Sequence, residues 1–278
     1  MAVVLSPIRS PLRSPAYSPL AGKFGESYTA EAVALFARFT TPPTEARKLL
    51  INNRILAAKA SGAWALRDGF YMMAAANAQA GQRNWKADAF NLSPQGTIIF
   101  EADRGYTGDG STGYLATGFN PSTAGGNFSL NSSHLSVWSR TNAQVAGTSI
   151  GARTTSTTGQ SLMTLRTATD QSTFRLNQDA AGTSPTNTNS SGGFVTRRSA
   201  SNAMAVFRNA VSLGTATTVS TSLPNANIVI AGLDTGGVVT TSNTYQLASA
   251  GFGANLTDAM ILAEYNADLA YLQGVGAA

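Results

Sequence analysis

The chain has 278 residues, enough to bury an ordinary hydrophobic core without staples. It contains no Cys and a single His, which excludes disulfides, thiolate chemistry and His-cluster metal sites. Charged residues are only 12% of the chain and the formal net charge is +5, so solubility rests on neutral Ser, Thr, Asn and Gly rather than on a charged surface.

Residues 1–95 hold eleven Lys/Arg against five Asp/Glu, and residues 96–278 hold eight against nine. The basic character therefore belongs to the N-terminal third. A nucleic-acid surface would concentrate more charge and interleave aromatics with it, so nucleic acid is not an expected partner. Pro7 cuts the short apolar run Ala2–Leu5, so the start does not read as a secretory signal. No apolar stretch approaches the length of a membrane span, and no membrane partner is expected.

Residues 1–25 form the first segment. Ser-Pro recurs at Ser6-Pro7, Ser10-Pro11, Ser14-Pro15 and Ser18-Pro19, with no acid among them. Repeated proline fixes φ and pushes the preceding residue toward extended conformations, so the segment reads as a stiff strap. One reading is a plain tail. The other is an anchoring arm, with Ile8, Leu12 and Leu20 filling pockets on a partner, Arg9 and Arg13 pairing with its acids, and Tyr17 beside them.

Residues 26–95 read as a helical segment for attachment or oligomerisation. In "SYTAEAVALFARF", Ser27 is placed to cap a helix whose apolar positions are Ala32, Leu35, Phe36 and Phe39. In "TPPTEARKLLINNRILAAKASG", Thr41 is placed to cap, Pro42 and Pro43 suit the first turn and Gly62 suits the exit. A third helix is expected from Trp64 to Ala80, with Phe70, Tyr71, Met72 and Met73 packing rather than lining a ligand pocket.

From residue 96 the period changes to short alternating segments between Gly, Asn, Ser and Thr clusters. They are "NFSL" (127–130), "HLSVWSR" (134–140), "SLMTLRT" (161–167), "STFRLNQ" (172–178), "AMAVFRN" (203–209), "SLG" (212–214) and "NIVIAGL" (227–233). In "STFRLNQ", Phe174 and Leu176 share one face, Arg175 and Asn177 the other. Many short strands at this spacing make a β-sandwich. A closing helix is expected from Thr257, with Met260, Ile261, Tyr265, Leu269 and Leu272 on its apolar face. The expected fold class is mainly β: a sandwich over 96–278, preceded by an extended arm and a small helical segment.

Within 96–278, "FEADRGYTGDGSTGYLATGFNP" carries a Gly108-Asp109-Gly110 turn leading to Tyr114-Leu115, and "NFSLNSSHLSVWSR" carries an inward Trp138. "VFRNAVSLGTAT" reads as a hairpin, and "GFGANLTDAMILAEYNADLAYLQ" as a closing strand and helix. Together they resemble the laminin-G-like, concanavalin A-like jelly roll. The hairpin departs from that pattern, since its turn is Asn209-Ala210 where Asn-Gly is expected. The whole arrangement of arm, helices and jelly roll resembles structural proteins of tailed bacteriophages and gene transfer agents.

That resemblance implies a non-enzymatic virion protein, a head fibre, spike or tail-fibre module assembled in the bacterial cytoplasm. Its partners would be capsid or tail proteins and copies of itself in a trimer or pentamer. Its jelly roll would meet host surface polysaccharide. The alternative is a carbohydrate-binding adhesin unconnected with a particle, and a remote third is a glycan hydrolase. Jelly-roll glucanases set carboxylates at alternating positions of one strand; here only Glu101 and Asp103 match, and position 105 is Gly. His134 reads as a surface or loop residue. No cofactor is expected, although lectin-like jelly rolls often bind calcium, and Asp103, Asp109, Asp170, Asp179 and Asp234 sit in or near loops. Glycan contact, if it occurs at the first strand, would use Asp103, Arg104, Tyr106 and Asp109, while Tyr114 and Trp138 read as platform or core.

Overall fold

A computed structural model describes residues 28–179, 181–240 and 242–278. The arm, with Ile8, Arg9, Leu12, Arg13, Tyr17 and Leu20, lies outside the described residues, as does the expected cap Ser27.

Thr29 caps α1 (Ala30–Phe36), its side chain accepting from Ala32 N. The cap of α2 (Glu45–Ser61) is Thr44, not Thr41, and its hydroxyl accepts from Arg47 N. Both prolines therefore precede the helix, where a missing N–H and a fixed φ cost nothing. Gly62, at φ 82°, ends α2 as expected. The expected third helix does not form. Only α3 (Ala63–Leu66) and α4 (Ala78–Gly81) are helical, and β1 (Arg67–Met72) runs between them. Phe70 and Met72 enter one buried cluster and Tyr71 another. A strand covered on both faces reads as an unbroken apolar run, which periodicity alone does not separate from a buried helix.

The remaining strands are β2 (Ser93–Gln95), β3 (Ile98–Glu101), β4 (Gly105–Gly108), β5 (Tyr114–Ala116), β6 (Ser133–Ser139), β7 (Ile150–Arg153) and β8 (Gln160–Thr164). They continue as β9 (Thr173–Gln178), β10 (Gly192–Ala200), β11 (Ala203–Arg208), β12 (Val211–Ala216), β13 (Val229–Ile230), β14 (Leu233–Thr235), β15 (Val238–Thr240) and β16 (Gln246–Gly253), and α5 (Asp258–Gly274) follows, capped by Thr257. The expected strand at 127–130 is absent. Asp68 instead accepts the amides of Asn127 and Phe128, and Ser129 only bridges Ser132.

The first sheet runs β12-β11-β10-β6-β16-β4-β3, with β1 also on β16. The second runs β9-β8-β7-β13-β5-β2, with β14 also on β7 and β15 on β14. Leu135, Val137, Phe194 and Phe252 from the first sheet meet Leu115, Ile150, Met163 and Phe174 from the second. This is the expected mainly β sandwich. Its first sheet is buried on its other face too. Phe70, Met72 and Trp138 pack there against Leu35 of α1, Ile51 and Ile55 of α2 and Leu272 of α5. Trp138 thus belongs to the core on the helix side, where it stacks on Tyr265 with ring centroids 5.6 Å apart. The molecule has three layers: helices, first sheet, second sheet.

The β11–β12 turn keeps its hairpin form despite the missing glycine. Asn209 and Ala210 take φ of 51° and 61°, the left-handed values of a type I′ turn, at a cost to Ala of about 1 kcal/mol. Asn209 Oδ1 accepts from Gly193 N at 2.9 Å and fixes the turn against β10. No helix among the described residues is long and apolar enough to cross a membrane.

Candidate functional site

β3 and β4 form a tight hairpin, and its turn holds Asp103 and Arg104. Asp103 has φ 59°, and its carboxylate accepts Arg47 Nη2 at 2.7 Å, tying the turn to α2. Arg104 Nη1 donates to the Asp103 carbonyl at 3.2 Å. Tyr106 is only 2% exposed. Its ring packs on Phe100, and its hydroxyl donates to Ala78 O and accepts from Gln82 Nε2. It offers no platform to a sugar. Asp109 lies in the crossover from β4 to β5, between the sheets. The amides of Gly113 and Ser111 and the hydroxyl of Thr112 hold its carboxylate far below the usual range. The hairpin therefore puts Asp103 and Arg104 side by side, but Tyr106 serves the core and Asp109 its own loop.

The other acids are similarly engaged. Glu101 accepts Gln246 Nε2 at 2.7 Å, apart from the Arg47 partner of Asp103. Asp170 accepts Arg166 Nε and Gln144 Nε2, Asp179 accepts Gly159 N, and Asp234 accepts Asn227 N and Gly237 N. Among the described residues no group of three or more His, Asp or Glu lies where it could hold a metal ion. His134 is not a surface residue. It is fully buried at the start of β6, with Nδ1 2.5 Å from Ala254 O. A carbonyl only accepts, so Nδ1 carries the proton. Burial foremost, then the nearby Arg67 charge, push its pKa down to about 3, and it is neutral near pH 7.

Two residues that the sequence did not single out as a pair stand on the outer face of the second sheet. Ile150 and Ala152 of β7 point into the core, which turns Arg153 outward. Phe174 and Leu176 of β9 do the same for Arg175. β8 lies between them, with Gln160 opposite Arg153 and Leu162 opposite Arg175. Arg153 Nε donates to Thr235 Oγ1 at 2.8 Å, and Arg175 Nη1 donates to Gln160 Oε1. Neither guanidinium is in an ion pair among the described residues. Arg175 Nε is buried with no hydrogen-bond partner there. Burial first, and then the Arg153 charge, lower the Arg175 pKa, so the two cations sense one another. Both side chains keep some exposure.

Asn177, expected on the Arg175 face, departs from the alternation. At φ 56° its side chain turns toward β6, donating to Ser129 O, Leu130 O and Ser133 Oγ. Alternation in "STFRLNQ" thus gave the face of Arg175. The neighbour two strands away was a matter of register, which no local pattern carries.

No family model matches the chain, and no curated protein sequence matches it. Solved structures do. A sialidase of Trypanosoma rangeli, in complex with 2,3-difluoro-KDN, aligns with a TM-score of 0.50 and 13% identity over 80% of this chain. The likeness is one of fold. This chain spans 40% of that sialidase chain. Domain 4 of an extracellular arabinanase from Geobacillus stearothermophilus, in complex with arabinotriose, aligns at TM-score 0.45 and 10% identity, over 72% of this chain and 98% of that one. The CBM40 of a Ruminococcus gnavus IT-sialidase, bound to sialyllactose, aligns at 0.39 and 12% identity, over 49% and 83%. The likeness to the sialidase agrees with the expected β-sandwich, and the virion role gains no support from the comparisons.

Proposed function

We propose that the protein is a non-enzymatic carbohydrate-binding module whose site is the outer face of the second sheet, and that its glycan is acidic. The observation that carries this reading is the Arg153–Arg175 pair. Among the described residues, two guanidiniums stand on one sheet face with no carboxylate paired to either, and one of them has a buried N–H without an acceptor. A saccharide carboxylate would take charge-assisted hydrogen bonds from this pair and relieve its mutual repulsion. The helices cover the first sheet and leave this face without a helical lid. The β-sandwich of carbohydrate-acting neighbours agrees with such a role, and the engagement of Glu101 and Asp103 with separate partners gives no acid–nucleophile pair for hydrolysis.

The test is retention of the full chain on an acidic polysaccharide such as polygalacturonate, against neutral dextran. Binding should be specific for the acidic polymer, weaken as salt rises, and survive EDTA. Arg153→Gln and Arg175→Gln should each weaken it by about tenfold, the value of one charge-assisted contact. Equal retention on both polymers, or variants that bind as the parent does, would sink the reading. The particle setting rests on residues 1–25 and is a separate proposal with its own test.

A further inference from the structure

A cavity of about 200 Å³ lies where the α1–α2 connection, α2, the 75–80 segment and α5 converge. Phe39, Pro42, Pro43, Ile51, Trp85 and Tyr271 give it an apolar wall rich in rings. The alanines of "MMAAANAQA" contribute Ala75, Ala76 and Ala80, small residues where larger ones would have closed the space. The rest of the lining is polar and comes from Thr41, Thr44, Arg47 and Asn77. Thr41, Pro42, Thr44 and Ala76 are exposed, so the cavity communicates with the surface.

The polar side of the lining is held in place and still has hydrogens to donate. Arg47 is fixed by Asp103 Oδ1 at 2.7 Å and by the Tyr271 hydroxyl at 3.4 Å, which leaves further N–H groups on its guanidinium. Thr44 Oγ1 accepts from Arg47 N at 3.3 Å and keeps its own O–H. Asn77 Oδ1 accepts from Ala80 N at 2.9 Å, and its Nδ2 remains a donor. Rings beside donors are the composition that receives an extended, proline-containing backbone. Proline rings and apolar side chains enter the apolar part, and the carbonyls, which have no internal hydrogen bonds in that conformation, take the donors.

A segment of that kind is tethered beside the cavity. Tyr28 is the first described residue, and its hydroxyl donates to Glu45 Oε2 at 2.8 Å. Glu45 directly follows Thr44 of the lining. In the last Ser-Pro repeat, Ser18-Pro19-Leu20, Leu20 stands eight residues before Tyr28, a stretch that reaches about 25 Å when extended. Residues 21–27 contain Gly22 and Gly25 and no proline, so the chain can bend back over this distance. We propose that the cavity receives Pro19 and Leu20 of the same chain, which latches the segment before α1 onto the helix layer. An apolar cavity of about 150 Å³ accommodates a benzene ring, so this one has room for a leucine side chain with the proline ring at its mouth. Proline fixes φ, which lowers the entropy lost on docking, and the short tether holds the repeat at an effective concentration of about millimolar. The three earlier repeats are left to the anchoring reading. The glycan reading is independent, because the cavity lies on the helix side of the first sheet and the arginine pair on the far face of the second.

The chain has no Cys, so a nitroxide can be carried on a single introduced one. In the isotope-labelled full chain with the nitroxide at Ser18→Cys, the amide NMR signals of Thr41, Thr44, Ala76 and Asn77 should broaden, and those of Arg153 and Arg175 should not. Adding Leu20→Asp, outside the described core, should lower the docking constant read from this broadening about tenfold, the effect of losing one buried leucine. In a mixture where one population carries the nitroxide and the other the isotope, the cavity signals should stay sharp. Three results overturn the proposal. Broadening that Leu20→Asp leaves unchanged would report the tether alone. Broadening in the mixture would give the cavity to the segment of a second copy, and none in the full chain would leave it to a ligand other than this chain.

Discussion

His134 shows how one residue can set the acid limit of a sandwich. Its imidazole donates one N–H to Ala254 O and has Nε2 buried without a partner, close to the Arg67 charge. Protonation would bury a cation beside a cation. The folded pKa, about 3, lies below the ordinary imidazole value of 6.5, so the unfolded chain binds the extra proton. Stability from this residue is complete above pH 6.5 and is lost as pH falls toward 3. At about pH 5 the loss is roughly 2 kcal/mol. Glu264, held to about 2 by Arg54 and Arg67 against the cost of burial, adds to the loss only below its ordinary value of 4.5. Asp268, raised chiefly by burial, works in the opposite sense above 3.8. Urea denaturation at about pH 7.5 and pH 5 should therefore show His134→Gln losing roughly 2 kcal/mol less than the parent between the two. Equal losses would mean that the imidazole is not what titrates.

At the scale of elements, α5 is fastened by charge as well as by apolar contact. Glu264 Oε2 accepts Arg54 Nη2 at 2.6 Å and Arg67 Nη2 at 2.5 Å, and Asp268 Oδ1 accepts Arg54 Nε at 2.6 Å. The two guanidiniums sit 4.5 and 4.4 Å from the centre of the Phe70 ring. One carboxylate thus joins α2, β1 and α5. Such pairs add little over an apolar replacement, but breaking one leaves an uncompensated buried charge at a cost of about 3–5 kcal/mol. Glu264→Gln should lower the unfolding free energy by about 3 kcal/mol or more in urea titration. A loss below about 1 kcal/mol would mean that the cluster is hydrated and that α5 is held by Ile261 and Leu272 instead. None of this was legible in the sequence, because residues 54, 67, 264 and 268 form no local pattern. Elements set by alternation or by a cap were legible: β6, β8, β9, the β11–β12 hairpin and the start of α5 at Thr257. β1 was hidden because burial on both faces erased its period, and residues 127–130 because Asp68, nearly sixty positions earlier, captures their amides.

At the scale of the molecule, the layer order decides which surface can work. The helices occupy the outer face of the first sheet, so a ligand of the sandwich is left the second sheet, where Arg153 and Arg175 stand, and the loops at its ends. The segment 1–25 precedes α1, and α1 belongs to the helix layer, on the side away from that pair. The strands that carry the arginine pair lie within residues 150–178, so deleting residues 1–25 should leave the affinity for acidic polysaccharide unchanged. In cells that release phage or gene-transfer particles, the truncated chain should be missing from purified particles that contain the full one. Truncated chain at full occupancy in particles would make the arm a tail and not an anchor. Loss of polysaccharide binding on truncation would move the recognition site from the second sheet to the arm.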